Sequence, residues 1–118
     1  MDEQLLRLKS WLDGQKKGPH SLDIVPTNKC NLSCVACFQR APKKEGYFDN
    51  ELPIKKYKQI IDEASKLNVK VINILGGGEP FLRKNIVEIM HYVKSRDMYG
   101  YIVTNGTLLK TKIISSMV

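Results

Sequence analysis

The alternation of apolar segments along this 118-residue chain predicts an α/β fold built on parallel strands. Three observations carry that prediction. Short apolar or β-branched runs at Ser21 to Val25, Val69 to Leu75 and Tyr101 to Thr104 alternate with stretches whose apolar residues recur at helical spacing. Each run stops at turn formers: Pro26, Gly76-Gly77-Gly78 and Asn105-Gly106. The resulting order of strand, helix, strand, helix, strand, helix favours parallel strands joined by right-handed crossovers.

The elements follow in order. Glu3 to Asp13 carries Leu5, Leu6, Leu8, Trp11 and Leu12, the pattern of an amphipathic helix, and Gly14 with Gly18-Pro19 ends it in a connector. The first strand, Ser21 to Val25, leads into a cysteine-bearing loop. Residues 41–51 are polar and contain glycine, which predicts irregular structure. Pro53 suits a first helical position, with Asp49 or Asn50 able to cap it. Ile54, Tyr57, Ile60, Ile61, Ala64 and Leu67 line one helical face, and Asn68 is a stop signal. The second strand ends at the glycine triplet. Leu82, Ile86, Ile89, Met90 and Val93 mark the next helix, with Gly100 beyond its end. After the third strand, Leu108 to Val118 reads as a helix through Leu109, Ile113 and Met117.

Composition bounds the function. Apolar content of 42% with 26% charged residues is that of an ordinary globular chain, one domain at most. No apolar stretch is long enough to span a bilayer, and the start lacks the basic and apolar regions of a signal peptide. Together with clustered thiols, this predicts a cytoplasmic location and no membrane partner. The formal net charge of +7 comes from lysines and arginines spread along the chain, mostly on the expected outer faces of helices. They do not interleave with aromatics, which argues against a nucleic-acid partner.

The run Cys30-Asn31-Leu32-Ser33-Cys34-Val35-Ala36-Cys37 holds every cysteine, spaced C-x3-C-x2-C. Three thiolates this close can wrap one iron–sulfur cube and leave its fourth iron without a protein ligand. A structural zinc site usually closes with four Cys or His ligands, and neither His20 nor His91 stands near in sequence. Four-cysteine clusters need one thiolate more than the chain owns. The same spacing also fits one face of a buried helix, but Pro26, Asn28, Asn31 and Ser33 are turn and cap formers.

All three motifs follow strands: the cysteines after the first, Gly76-Gly77-Gly78-Glu79-Pro80 after the second, and Thr104-Asn105-Gly106 after the third. Loops at the C-terminal ends of parallel strands form the active face of α/β folds, so these three converge. From about Leu22 to Leu109 the chain resembles the N-terminal half of a radical S-adenosylmethionine (radical SAM) enzyme, through the cysteine spacing, Gly77-Gly78-Glu79 and Thr104-Asn105-Gly106.

The resemblance implies the first three βα units of an incomplete (β/α)6 TIM-like barrel. Residues 1–20 form an N-terminal helix and connector, and residues 21–118 form the front part of the core domain. It implies a [4Fe-4S] cluster on Cys30, Cys34 and Cys37, and S-adenosylmethionine bound at Gly77, Gly78 and Glu79, with Thr104 and Asn105 facing the cofactor or the substrate. Glycines allow close backbone approach, and Glu79 can accept from the cofactor's ammonium. Where the family carries an aromatic residue before the third cysteine, this chain has Ala36, with Phe38 after it; the Ala36 backbone can still meet the adenine edge. Reductive cleavage of the cofactor then yields a 5′-deoxyadenosyl radical that abstracts hydrogen from a small-molecule or peptide substrate. An external one-electron donor such as flavodoxin or ferredoxin drives it. The cofactor carries the radical chemistry and the protein orients it.

A third strand without an outer neighbour marks the sequence as the front of a longer protein, expected to associate and to turn over no substrate by itself. Two other classes compete: a non-catalytic iron–sulfur module for electron transfer or structure, and a zinc-bearing nucleic-acid module with salt-dependent affinity.

Overall fold

The computed structural model describes residues 2–38 and 50–117. The elements, in chain order, are α1 (Glu3–Leu12), β1 (Ser21–Ile24), α2 (Ile54–Lys66), β2 (Val71–Ile74), α3 (Ile86–Lys94), β3 (Tyr99–Ile102) and α4 (Thr111–Met117). A single 3-10 turn, Pro80–Leu82, stands between β2 and α3. Of the stretch expected to be irregular, residues 41–49 lie outside the described residues.

The three strands form one parallel sheet in the order β1-β2-β3, as the alternation predicts. In register, Ile24 stands beside Ile74 and Ile74 beside Ile102. Side chains alternate between the two faces of a strand. On one face Ile24, Ile72 and Ile74 are buried in a core shared with Tyr57, Ile61 and Ala64 of α2 and Ile86, Ile89 and Val93 of α3. Burying an isoleucine side chain of this kind contributes roughly 1.5–3 kcal/mol. The opposite face carries Asp23, Asn73 and Tyr101 in register, and the Asn73 amide donates to Asp23 Oδ1 at 2.8 Å. Tyr99 and Tyr101 stay exposed there.

Several boundaries differ from the sequence reading. β3 starts at Tyr99 and ends at Ile102, two residues early, because Tyr99 N–H donates to the Lys70 carbonyl. Gly100 is therefore inside the strand. A Cβ there would stand 3.0 Å from Met90 Cε, so the bare backbone seats the α3 methionine. The α2 cap is Pro53 in extended backbone with no side-chain capping bond, so Asn50 does not play that part, while Asp49 lies outside the described residues. Asn68 does end the helix region, at φ +59°.

The first helix forms but does not bury its leucines. Leu5, Leu8 and Trp11 are about half exposed and Leu12 more so, while Arg7 is buried. Its guanidinium donates to the carbonyls of Gly18, Pro19 and Asn68 and to Glu3 Oε1, and so ties α1 to the connector and to the end of α2. The Arg7 bond holds the Glu3 carboxyl below its usual range. Among the described residues no helix is long and apolar enough to cross a membrane.

Candidate functional site

Three loops leave the C-terminal ends of β1, β2 and β3 and are bonded to one another. The chain after β1 runs from Val25 through a bend at Asn28 to Lys29 and delivers Cys30. Here the loop after β2 crosses it: Gly78 N–H donates to the Thr27 carbonyl and Glu79 N–H to the Lys29 carbonyl, each at 2.8 Å. The crossing leaves no room for side chains. A Cβ at Gly78 would overlap the Lys29 carbonyl, and one at Gly77 would clash with Asn28 Oδ1, Val25 Cγ1 and the Thr27 carbonyl. Close backbone approach thus explains Gly77 and Gly78. Neither adopts positive φ, whereas Gly106 does, at +76°. Gly76 faces open space.

Glu79 joins the second loop to the third. It is only 2% exposed, so its carboxylate depends on protein partners. Oε1 accepts from the Thr104 hydroxyl at 2.7 Å and from Phe81 N–H at 3.1 Å; Oε2 accepts from Asn105 N–H at 2.8 Å. The bond to Phe81 caps the 3-10 turn, whose first residue is Pro80. A carboxylate offers roughly four lone-pair sites, so one acceptor direction on Oε2 is left over.

Asn31 joins the first loop to the third. Its amide donates to Thr107 Oγ1 at 2.8 Å, and its carbonyl oxygen accepts from the Asn105 amide at 2.9 Å. Asn105 Oδ1 in turn accepts from Thr107 N–H and the Thr107 hydroxyl. The residue next to Cys30 is therefore fixed to the turn after β3.

The cysteines themselves are unpaired thiols on the loop surface, Cys30 and Cys34 exposed and Cys37 half-buried. Cys37 N–H donates to the Cys34 carbonyl at 3.1 Å, which places the last two in one turn. Among the described residues no group of three Cys, His, Asp or Glu side chains is gathered as a metal site. A cubane takes one thiolate on each of three separate irons, and three accessible, undisulfided thiols on one loop fit that donor set. Ala36 is exposed between them, as are Leu32, Val35 and Phe38.

The sequence reading found the three motifs but not what binds them together. Asn31 carries only a turn signal in the sequence, and Thr107 carries none. Thr27, Glu51 and Arg83 carry none either, and the two buried arginines, Arg7 and Arg83, depart from the expectation that basic residues lie mostly on outer helix faces.

Residues 24–118 match the sequence profile of the radical SAM superfamily. The chain belongs to that superfamily. It is 36% identical to the Fe-coproporphyrin III synthase of Methanosarcina barkeri over 91 residues, covering 77% of this chain and 22% of that protein. With a probable GTP 3′,8-cyclase of Methanothermobacter marburgensis it shares 39% identity over 101 residues, covering 83% of this chain and 31% of that one. The crystal structure of Streptococcus suis SuiB bound to S-adenosylmethionine superposes with a TM-score of 0.73 at 26% identity, over 92% of this chain and 24% of SuiB. The chain thus spans between about a fifth and a third of the length of these relatives. Radical SAM proteins use a [4Fe-4S] cluster and S-adenosylmethionine, and the three βα units here form part of their TIM-like barrel.

Proposed function

We propose that this radical SAM chain holds a [4Fe-4S] cluster on Cys30, Cys34 and Cys37 and binds S-adenosylmethionine across the three bonded loops. The bonding of all three loops at one end of the sheet is the observation that carries this reading. Oε2 of Glu79 has an acceptor direction left for the cofactor's ammonium, and its two neighbours, Thr104 and Asn105, are fixed by the same carboxylate. Gly77 and Gly78 hold that carboxylate against the cysteine loop by their backbone crossing. Ala36, exposed on the cysteine loop, offers its backbone as a contact for the adenine edge. When bound, the reduced cluster and S-adenosylmethionine supply a 5′-deoxyadenosyl radical for hydrogen abstraction.

In the parent enzyme the substrate is a small molecule or peptide, and an external one-electron donor such as flavodoxin or ferredoxin reduces the cluster. Clustered unpaired thiols suit the reducing cytoplasm.

Anaerobic reconstitution with iron and sulfide tests the reading. About four irons per chain are expected, and Cys30→Ala, Cys34→Ala and Cys37→Ala should each abolish the cluster. S-adenosylmethionine should then perturb the electron paramagnetic resonance spectrum of the reduced cluster. Stoichiometric zinc that iron cannot replace would sink the assignment. An iron–sulfur spectrum unmoved by saturating S-adenosylmethionine would point instead to an electron-carrying or structural module.

A further inference from the structure

The cysteine loop is tied at its base by residues outside every motif. Arg83, in the connector between β2 and α3, is 5% exposed. Its Nη1 donates to the Pro26 carbonyl at 2.8 Å and its Nη2 to the Leu52 carbonyl at 2.7 Å, so one guanidinium holds the chain on both sides of the cysteines. Its Nε donates to Asn85 Oδ1 at 2.7 Å. Glu51 stands 3.6 Å from Nη1 through Oε2, while its Oε1 accepts from the Thr27 hydroxyl at 2.6 Å. Thr27 Oγ1 accepts in turn from Lys29 N–H at 3.1 Å, one residue before Cys30.

Beneath this, the Tyr57 ring lies 4.7 Å from the guanidinium, and its hydroxyl donates to the Val25 carbonyl at 3.0 Å. Burial pushes the Tyr57 phenol up from its ordinary pKa; Arg83 opposes this and Glu51 adds to it.

We propose that Arg83, Glu51 and Thr27 form a positioning clamp that fixes both stems of the cysteine loop and so keeps the three thiols within reach of one cluster. The proposal rests on the reading of Cys30, Cys34 and Cys37 as iron ligands. A buried guanidinium must be fully hydrogen-bonded, and this one spends its planar fork on two backbone carbonyls that belong to loop stems rather than to the sheet or helices. Lysine, a compact ammonium on a flexible stem, lacks the planar fork that aims separate nitrogens at the two carbonyls. Cluster binding needs three thiolates at once, so its stability depends on how narrowly the loop's ends are held. The hydroxyl of Thr27 transmits the clamp to the backbone that carries Cys30.

The test uses the full chain with Thr27→Val, Thr27→Ser and Arg83→Lys, each reconstituted anaerobically. Iron loss to a strong chelator should speed by about tenfold in Thr27→Val and Arg83→Lys, the factor expected from losing one charge-assisted hydrogen bond. Thr27→Ser, which keeps the hydroxyl, should stay within about twofold of the parent. Circular dichroism of the iron-free chains should be unchanged for the two Thr27 variants. In the iron-free Thr27→Val chain, hydrogen exchange at the Lys29 amide should speed by a similar factor.

Parental chelation rates in Thr27→Val, or equal losses in Thr27→Ser and Thr27→Val, would overturn the clamp. Unchanged exchange at Lys29 would overturn it as well while leaving the cysteine assignment intact. A parent chain that takes up no iron would overturn that assignment, and the clamp's role with it.

Discussion

Glu79→Gln is the most informative single change. Glutamine keeps the shape of glutamate but replaces one acceptor oxygen with an amino group, which only donates. If the amino group takes the place of Oε1, Thr104 can turn its hydroxyl to accept, but Phe81 N–H then faces a second donor. If it takes the place of Oε2, the amide of Asn105 faces it instead. Either flip strands one backbone N–H in a site where the side chain is 2% exposed. An unsatisfied donor of that kind costs about 1–3 kcal/mol, and conversion of the remaining bonds from charged to neutral adds roughly 1 kcal/mol. The sum, about 2–4 kcal/mol, corresponds to a fall in Tm of roughly 8–15 °C for a chain of this size. Thermal melts followed by circular dichroism, with urea titration in parallel, read it directly. A Tm within about 2 °C of the parent would refute the claim that this carboxylate holds the third loop in place.

Other predictions follow from the same geometry. Gly78→Ala should destabilise by about 2–3 kcal/mol, because its methyl meets the Lys29 carbonyl, whereas Gly76→Ala, facing open space, should stay within about 0.5 kcal/mol in urea titrations. Arg7→Met should cost about 2–3 kcal/mol by stranding the carbonyls of Gly18, Pro19 and Asn68, while Leu12→Ala on the exposed side of α1 should be close to neutral. Asp62 is held below its ordinary pKa by the Arg96 bond first and the Tyr92 hydroxyl second. A lowered carboxylate stabilises the fold above its unfolded pKa, and that contribution disappears as pH falls through the lower folded value. Asp62→Asn should therefore flatten the acid side of the stability–pH curve below roughly pH 4 and leave the alkaline side unchanged.

The strand–helix order and the three motifs were legible because each rests on local signals. β-branched runs, prolines and glycines act on their own neighbours, so Ile72, Ile74 and the glycine triplet declared themselves. The boundary of β3 was not legible, since Gly100 resembles a terminator until Met90 is seen packed against it. Leucines at helical spacing in α1 implied an apolar interface, yet the helix is held by Arg7 through carbonyls that no periodicity reports. Arg83 is the extreme case: its partners Pro26 and Leu52 lie 57 and 31 residues away and are met through backbone atoms, which every residue type presents alike. The sequence around Glu79 points to the cofactor and gives no sign of the bonds to Thr104 and Asn105.

The crossing of Gly77 and Gly78 over the chain from Val25 to Lys29 makes two distant motifs behave as a mortise and tenon. Neither half can be exchanged alone. A chimera that imports a cysteine loop of different backbone path from a relative must import the matching glycine turn, or the joint will not seat. The same interlock means that a ligand pressing on the glycine turn also presses on the residues that lead to Cys30. Contact at one motif is felt at the other without any side chain to relay it.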